Sequence, residues 1–571
     1  MRKLSLPFHQ LFVASLSIIL LSPPGLSWQS IIAAQKPAAT LTTEEREAAS
    51  RLKAETIREV TTILASKEMA ERGTAQPGSD RRVKYLADKF AKIGLKPLGD
   101  AGTYLQAVKL KFEQVSPDSS LTVGETSFKF KDDFFVYDDP RTLMPAAPAD
   151  VRAGLVFVSY GLVSPDLKRD DLAGMEVKGK IVVMLDSKPK NIDAATWAKS
   201  AGQRRALIQE AAGFIFIVVD PGNSILKPGS SFYSSMTSSF PSRRVSLADV
   251  PLTSAKLPPV LGVNDSTAEK LLAGSGITLE QAKQKAEAGE FVSRDLGKQA
   301  SISIRVKRED GNISNVVGVI GGSDAALKEQ AVVYSAHYDS HGIDPARELP
   351  PGSADGALSV GKLLAIAEAL AKSEPKPRRS LIFLAVTGEE HRLLGTEYWV
   401  HHPTWPIEKV AANINFGGPG MDVWGPLKCI IDHGFKHSNL DDVIEGVAAA
   451  SNITVLPDPF PHQQIQYRSG DFYRASHYAF IKKGVPAFYL VGGPGNDREE
   501  MRENIMRRWG LSVGDTAIRP DWNWDGARML AAIALIAGMR IANQEVMPAW
   551  VPASPYNRPR GTDLPPPPHV Q

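Results

Sequence analysis

The sequence predicts an α/β protein with a mainly parallel central sheet, helices on both of its faces, and a small α/β domain inserted into the chain. Three observations carry that expectation. From residue 311 onward, apolar runs of strand length alternate with helical patterns, as in sheets covered on both faces. Residues 141–308 differ in texture, with strand-like runs of their own and no cluster of Cys, His and carboxylate side chains. The composition, 43% hydrophobic and 23% charged over 571 residues, is that of ordinary folded protein with room for several domains.

The elements follow in order. Arg2 and Lys3 precede an apolar stretch, Leu11 to Leu21, and small residues stand at Ala33 and Ala34. This three-part layout predicts a signal peptide over 1–34 and a secreted or periplasmic product. An uncleaved anchor is the rival reading, but the apolar stretch is short for a membrane span. Thr42-Thr-Glu-Glu-Arg opens a helix, a second amphipathic run covers Arg81 to Ile93, and Gly94-Leu-Lys-Pro97 ends it. Within 141–308, strand-like runs lie at 151–163, 179–185 and 213–220, followed by a Ser-rich loop over 230–242.

Strands are expected at 331–336, 380–387, 410–416 and 485–490, with a helix over 359–372 between the first two. Residues 528–542 form a last apolar helix, flanked by Arg528 and Arg540 and read as core. Residues 41–140 and 309–545 thus make one domain, 141–308 the insert, and 550–571 a Pro-rich disordered tail. There is no internal repeat.

Charge and cysteine content narrow the function. The net charge is +3, from 66 basic and 63 acidic side chains, with no basic block; nucleic acid is not an expected partner. Cys429 is the only cysteine, so no internal disulfide exists, and it reads as a small buried hydrophobe before a reactive thiol.

The chemistry lies at the ends of the strands in the second half. The first gives His337-Tyr-Asp339, and Asp355 opens the next helix after a glycine-containing loop. The strand at 380–387 runs into Gly388-Glu389-Glu390, the next carries Asn413 and Asn415, and His477 precedes Gly484-Val-Pro-Ala487. In open parallel sheets, ligands bind beyond the carboxyl ends of the strands, so residues far apart in sequence are expected to converge. Imidazole and carboxylate suit zinc, and a carboxylate off the metal serves as general base. No Gly-x-Ser-x-Gly elbow of a serine hydrolase is present.

The ordered set resembles the co-catalytic zinc aminopeptidase family, with aminopeptidase Y and the secreted bacterial leucyl aminopeptidases, related to glutamate carboxypeptidase and the transferrin receptor ectodomain. The stretches that carry the resemblance are 336–342, 351–357, 387–396, 413–417 and 476–480. Residues 141–308 resemble the protease-associated domain inserted in many members. The resemblance implies a zinc exopeptidase fold and a secreted, zinc-dependent hydrolase of peptide substrates, most simply an aminopeptidase, without stable membrane association once the signal is cleaved.

The resemblance also implies roles. His337 binds one zinc, Glu390 and His477 the other, Asp355 bridges them, Glu389 is the general base, and Asp339 orients His337. Two positions depart from the pattern. Asn415 stands where the family has a ligand aspartate, and Ser476 where it usually has the aspartate before the histidine. Two zinc ions are expected, that beside His337 and Asn415 the weaker, because an amide lacks the carboxylate's charge. Asp422 or Asp471 are candidates for the missing charge. A metal-depleted peptide-binding protein, and a carboxypeptidase or glutaminyl cyclase, stand as alternatives on the same fold.

Overall fold

The computed structural model describes residues 40–564, except 70–78, 137–148, 194–195, 198–206, 208–209, 220–242, 250–257, 340–355, 418–420, 458–470 and 511–517. The expected signal segment, the Ser-rich loop and Asp355 therefore lie outside the described residues.

Three helices come first: α1 (Thr43–Ser50), α2 (Ala54–Leu64) and α3 (Ser79–Ile93). A reciprocal cap starts α1, with Glu45 N donating to Thr42 Oγ1 at 3.1 Å and Thr42 N to Glu45 Oε2 at 2.9 Å. The main sheet then takes β1 (Leu105–Val115), β2 (Val306–Ile320), β3 (Ala331–His337), β4 (Ser380–Val386), β5 (Val410–Phe416), β6 (Cys429–His433), β7 (Thr454–Pro457) and β8 (Ala487–Gly493). Among the helices between and after them are α4 (Leu358–Ala371), α5 (Leu394–His401), α6 (Leu440–Ala450), α7 (His477–Lys482) and α8 (Trp524–Asn543).

The α/β class is as expected, but the sheet is mixed, not mainly parallel throughout. Its order is Arg243–Leu247, β1, β2, β4, β3, β5, β8, β6, β7. Only the centre, β4-β3-β5-β8, is a continuous parallel run. On one flank β1, β2 and β4 pair antiparallel, and on the other β6 returns antiparallel to β8. The β1–β2 ladder is long because residues 105–115 and 306–316 pair throughout.

Successive residues of the central strands point to opposite faces, and both faces are covered. Val332, Tyr334, Ala336, Leu381, Phe383, Ala412 and Ile414 pack against α1–α4, α6 and α8. Val333, Ile382, Leu384 and Val386 pack against Trp399 of α5 and Phe480 of α7. This double burial explains why these strands read as continuous apolar runs. Each fully buried Leu, Ile or Phe contributes roughly 1.5–3 kcal/mol. Gly538 lets α8 close on the sheet, since a Cβ there would stand 1.8 Å from the Tyr334 hydroxyl.

A second sheet has its own apolar core and draws on residues from Ser120 to Ile304. Its order is Thr126–Phe128, Ser120–Val123, Arg294–Ile304, Ala149–Phe157, Ile181–Asp186, Gly213–Val218, Val260–Val263, Phe134–Val136. Arg243–Leu247 leaves it and pairs with β1 of the main sheet.

Residues 550–564, expected as part of a disordered tail, pack on the main sheet. Trp550 Nε1 donates to Gly484 O at 2.9 Å, Arg560 Nε donates to Val410 O at 2.8 Å, and the Tyr556 ring is buried. The reason is composition: two aromatics and two guanidiniums precede the proline run and have carbonyls and apolar surface to meet. Residues 565–571 lie outside the described residues. Among the described residues, no helix is long and apolar enough to cross a membrane.

Candidate active site

Three neighbouring strands deliver the site. β3 ends at His337, β4 leads into Gly388-Glu389-Glu390, and β5 carries Asn413 and Asn415. The parallel registers set Ser335 opposite Asn415, and Asn415 opposite Tyr489 of β8. Tyr489 in turn lies opposite His433 at the end of β6.

The turn after β3 is held from two sides. His337 Nδ1 lies 3.5 Å from Asp339 Oδ1, both side chains buried. Asp339 also receives Glu389 N at 3.2 Å on Oδ1 and Glu390 N at 3.5 Å on Oδ2. Burial by itself raises the Asp339 carboxyl. The contact with His337, the His391 charge and the Glu389 N–H outweigh it and leave it below the ordinary carboxylate range. From α3, buried Arg82 donates Nη1 to Tyr338 O at 3.0 Å, and Tyr338 Oη donates to Ser314 O at 2.6 Å. The helical N-terminal segment thus braces the His337–Asp339 turn.

The loop after β4 is bent sharply. Gly388 has φ of 65°, and a Cβ there would stand 2.9 Å from Leu394 Cβ, so glycine is required. Arg392 and Leu393 also have positive φ, 72° and 62°. Buried Asn315 of β2 clamps the bend: Thr387 N donates to its Oδ1 at 3.2 Å, and its Nδ2 donates to Gly395 O at 2.9 Å. These contacts turn Glu389 toward α7. Ser476 N donates to Glu389 Oε1 at 3.2 Å, Ser476 Oγ donates to Oε2, and Thr396 Oγ1 lies 2.6 Å from Ser476 Oγ.

His477 opens α7 and is fully buried. Burial, then the neighbouring His433, push its imidazole well below the usual range, which keeps it neutral, the form that ligates metal. Neither ring nitrogen has a well-formed hydrogen bond among the described residues, and the Ala475 backbone acts only weakly on the ring. The rings of His477 and His433 both pack on Tyr489, with centroids 5.5 Å and 4.8 Å away.

The expected residues are therefore linked: His337 to Asp339, Asp339 to Glu389 and Glu390, and Glu389 through Ser476 to His477. Asn415 adjoins Glu389, since a Cβ at Gly417 would stand 3.8 Å from Asn415 Nδ2 and 3.9 Å from Glu389 Oε1. Asp355 is not described; Gly356, next in sequence, touches His337, its Cβ position 3.2 Å from His337 Cε1. Among the described residues, no three His, Cys, Asp or Glu side chains are grouped to hold a metal ion.

Zinc would need imidazole nitrogen and carboxylate oxygen among the residues present. The His477 side fits, with a buried neutral imidazole whose nitrogens make no well-formed hydrogen bond among the described residues, and with the Glu390 carboxylate on the adjoining loop. The Asn415 side does not, because its oxygen is engaged by Ser335 Oγ at 2.8 Å. Asp422 is no replacement carboxylate, since it forms a buried ion pair with Lys362 of α4 at 3.0 Å and its loss would strand the lysine charge. Asp471 begins the short helix Asp471–Arg474. Cys429 is buried and its thiol is pushed up to about 12 by burial, so it is inert.

Sequence reasoning missed four participants: Ser335, Asn315, Ser476 as the partner of Glu389, and His433. His433 carried a signal of the same kind as the others, since Cys429-Ile-Ile-Asp-His433 is an apolar run ending in polar residues. Ser335 and Asn315 carried none, being single polar residues inside buried strands.

Residues 315–527 match the model of peptidase family M28. The match takes in 213 of the chain's 571 residues. Its boundaries start at Asn315 and take in every candidate site residue named above. The chain is also similar to curated proteins. A probable leucine aminopeptidase 2 of Aspergillus oryzae is 28% identical over 262 residues, 44% of this chain and 46% of that protein. A vacuolar membrane protease of Candida dubliniensis is 34% identical over 109 residues, 19% of this chain and 10% of that protein. The chain thus spans less than half the length of these relatives. Among solved structures, an aminopeptidase from Aneurinibacillus sp. strain AM-1 is 16% identical with TM-score 0.48, covering 86% of this chain and 95% of that one. A zinc aminopeptidase from Bacillus subtilis is 14% identical with TM-score 0.46, covering 85% and 94%.

Proposed function

We propose that the chain is a zinc-dependent aminopeptidase that removes N-terminal residues from peptides, with Glu389 as general base. The observation that carries this reading is the Glu389–Ser476–His477 junction. A strand-end carboxylate is held by both donors of Ser476, the residue before a buried, neutral histidine whose nitrogens make no well-formed hydrogen bond among the described residues. The family of the matched region is a peptidase family, which fits this chemistry.

Glu390 and His477 would hold zinc, with Asp355 contributing. Zinc bound there supplies Lewis acidity toward the scissile carbonyl and makes water more acidic. Glu389 takes the proton from the attacking water and hands it to the departing amine. The Ser476 N–H and hydroxyl fix the carboxylate in one rotamer. Asp339 holds His337 in one tautomer and ties that turn to the Glu389-Glu390 loop.

Residues 1–34 are read as an export signal, which places the enzyme outside the cytoplasm. Residues 141–308 are read as an inserted protease-associated domain that limits access of large substrates. Asn415 favours a second reading, a metal-depleted peptide-binding protein, because one ligand carboxylate is missing.

Paired variants test the roles. Glu389→Gln is expected to lower turnover by roughly 10²–10⁴-fold while zinc content stays. Glu390→Gln is expected to lose zinc. Equal metal loss in both rejects the division of roles, and a wild type that holds no zinc yet binds peptide establishes the second reading.

A further inference from the structure

We propose that Asn415 is a hydrogen-bond donor to the substrate carbonyl and not a metal ligand, so that the chain holds one zinc ion tightly and not two. This rests on the aminopeptidase reading above. Asn413 stands two residues earlier on the same face of β5. Asn413 Nδ2 reaches Val333 O at 3.1 Å and Ser335 Oγ at 2.9 Å. A backbone carbonyl only accepts, so the Asn413 atom there is the amine. Ser335 Oγ then receives one proton from Asn413 and gives its own to Asn415, at 2.8 Å. The Asn415 atom at that contact is therefore its oxygen, and the amide nitrogen faces the other way.

That nitrogen borders the catalytic base. A Cβ at Gly417 would lie 3.8 Å from Asn415 Nδ2 and 3.9 Å from Glu389 Oε1, so both atoms line one spot beyond the end of β5. Asn415 is fully buried, and its Nδ2 meets no acceptor among the described residues. A buried donor without an acceptor is unfavourable and is held here by the ladder behind it. An N–H pointing into the site repels a cation and attracts a carbonyl oxygen, the more so as that oxygen gains negative charge in the transition state. A second metal would need an anion at this point. The chain offers a donor there, which suits the charge that develops on the substrate.

Zinc content of full-length protein, loaded with excess zinc and then freed of weakly held metal by gel filtration, tests the inference. One zinc per chain is expected in the wild type and two in Asn415→Asp. That variant keeps the shape and the Ser335 contact and turns an oxygen toward the site. Asn415→Ala is expected to keep the single zinc and its KM for an aminoacyl anilide within about twofold, while kcat falls roughly 10²-fold. Two tightly held zinc ions in the wild type overturn the proposal, as does zinc loss in Asn415→Ala. If Asn415→Ala does not fold, the isosteric Asn415→Asp still decides the metal count. One zinc in the wild type and two in Asn415→Asp, with no hydrolysis of any peptide, sinks the aminopeptidase reading and the donor role but leaves the metal count standing. Full hydrolysis with two wild-type zinc ions sinks this inference alone.

Discussion

Ser476 spends both its backbone N–H and its hydroxyl on Glu389, and the hydroxyl is itself backed by Thr396. A hydrogen bond to a charged group contributes roughly 1.5–3 kcal/mol, about one to two decades in rate if it is realised fully in the transition state. Ser476→Ala keeps the backbone donor and removes the other, so kcat is expected to fall roughly tenfold with zinc content unchanged. Steady-state kinetics beside metal analysis check this, and an unchanged kcat would reduce Ser476 to a packing residue. At this scale the sequence was partly readable. His337, Glu389, Glu390 and His477 stood out because each follows or precedes an apolar run. Ser476 was visible only as a departure from a resemblance, and its partner is set by tertiary packing across 87 positions. The state of Asn415 depends on Ser335, 80 positions away, which no local pattern encodes.

Among the elements, the loop from Thr387 to Gly395 decides where the two glutamates point. Its left-handed residues are stabilised by Asn315 behind the loop and Asp339 beneath it. Gly388→Ala places a side chain at φ of 65°, costing about 1–2 kcal/mol, and drives its Cβ into Leu394. A lower melting temperature and a loss of activity larger than the loss of folded protein are expected. Full activity in the variant would show that the loop adapts. The central strands and α4 were legible from their continuous hydrophobicity, and the expected 410–416 strand coincides with β5. The strands at 120–123, 126–128 and 134–136 were not, because three- and four-residue runs carry too few alternations to register. The antiparallel return of β6 also escaped, since strand direction leaves no mark on composition.

At the scale of the whole molecule, apolar clusters cover both faces of the main sheet and the second sheet has a core of its own, and β6 carries a buried carboxyl next in sequence to His433. Asp432 of β6 is fully buried, and neither carboxylate oxygen has a partner among the described residues. Burial, then the nearby Asp441 and Glu445, push it well above its ordinary value of 3.8, and burial raises Asp441 to about 7. Both groups bind protons more tightly folded than unfolded, so their contribution to stability declines as pH rises from about 4 through 7 and beyond. Asp432→Asn is expected to melt higher than the wild type, with an advantage that grows from pH 5 to pH 8. Melting curves across that range check it, and a pH-independent difference would mean that Asp432 is neutralised in another way.

The central claim is that this chain cleaves from a free N-terminus with a bound metal ion. The direct measurement is mass analysis of products from one short peptide, offered with a free and with an acetylated N-terminus, before and after chelation and again after zinc is restored. Stepwise loss of N-terminal residues from the free peptide alone, abolished by the chelator and recovered with zinc, is the predicted result. Equal cleavage of the acetylated peptide, loss of residues from the C-terminus, or cleavage indifferent to the chelator would contradict it.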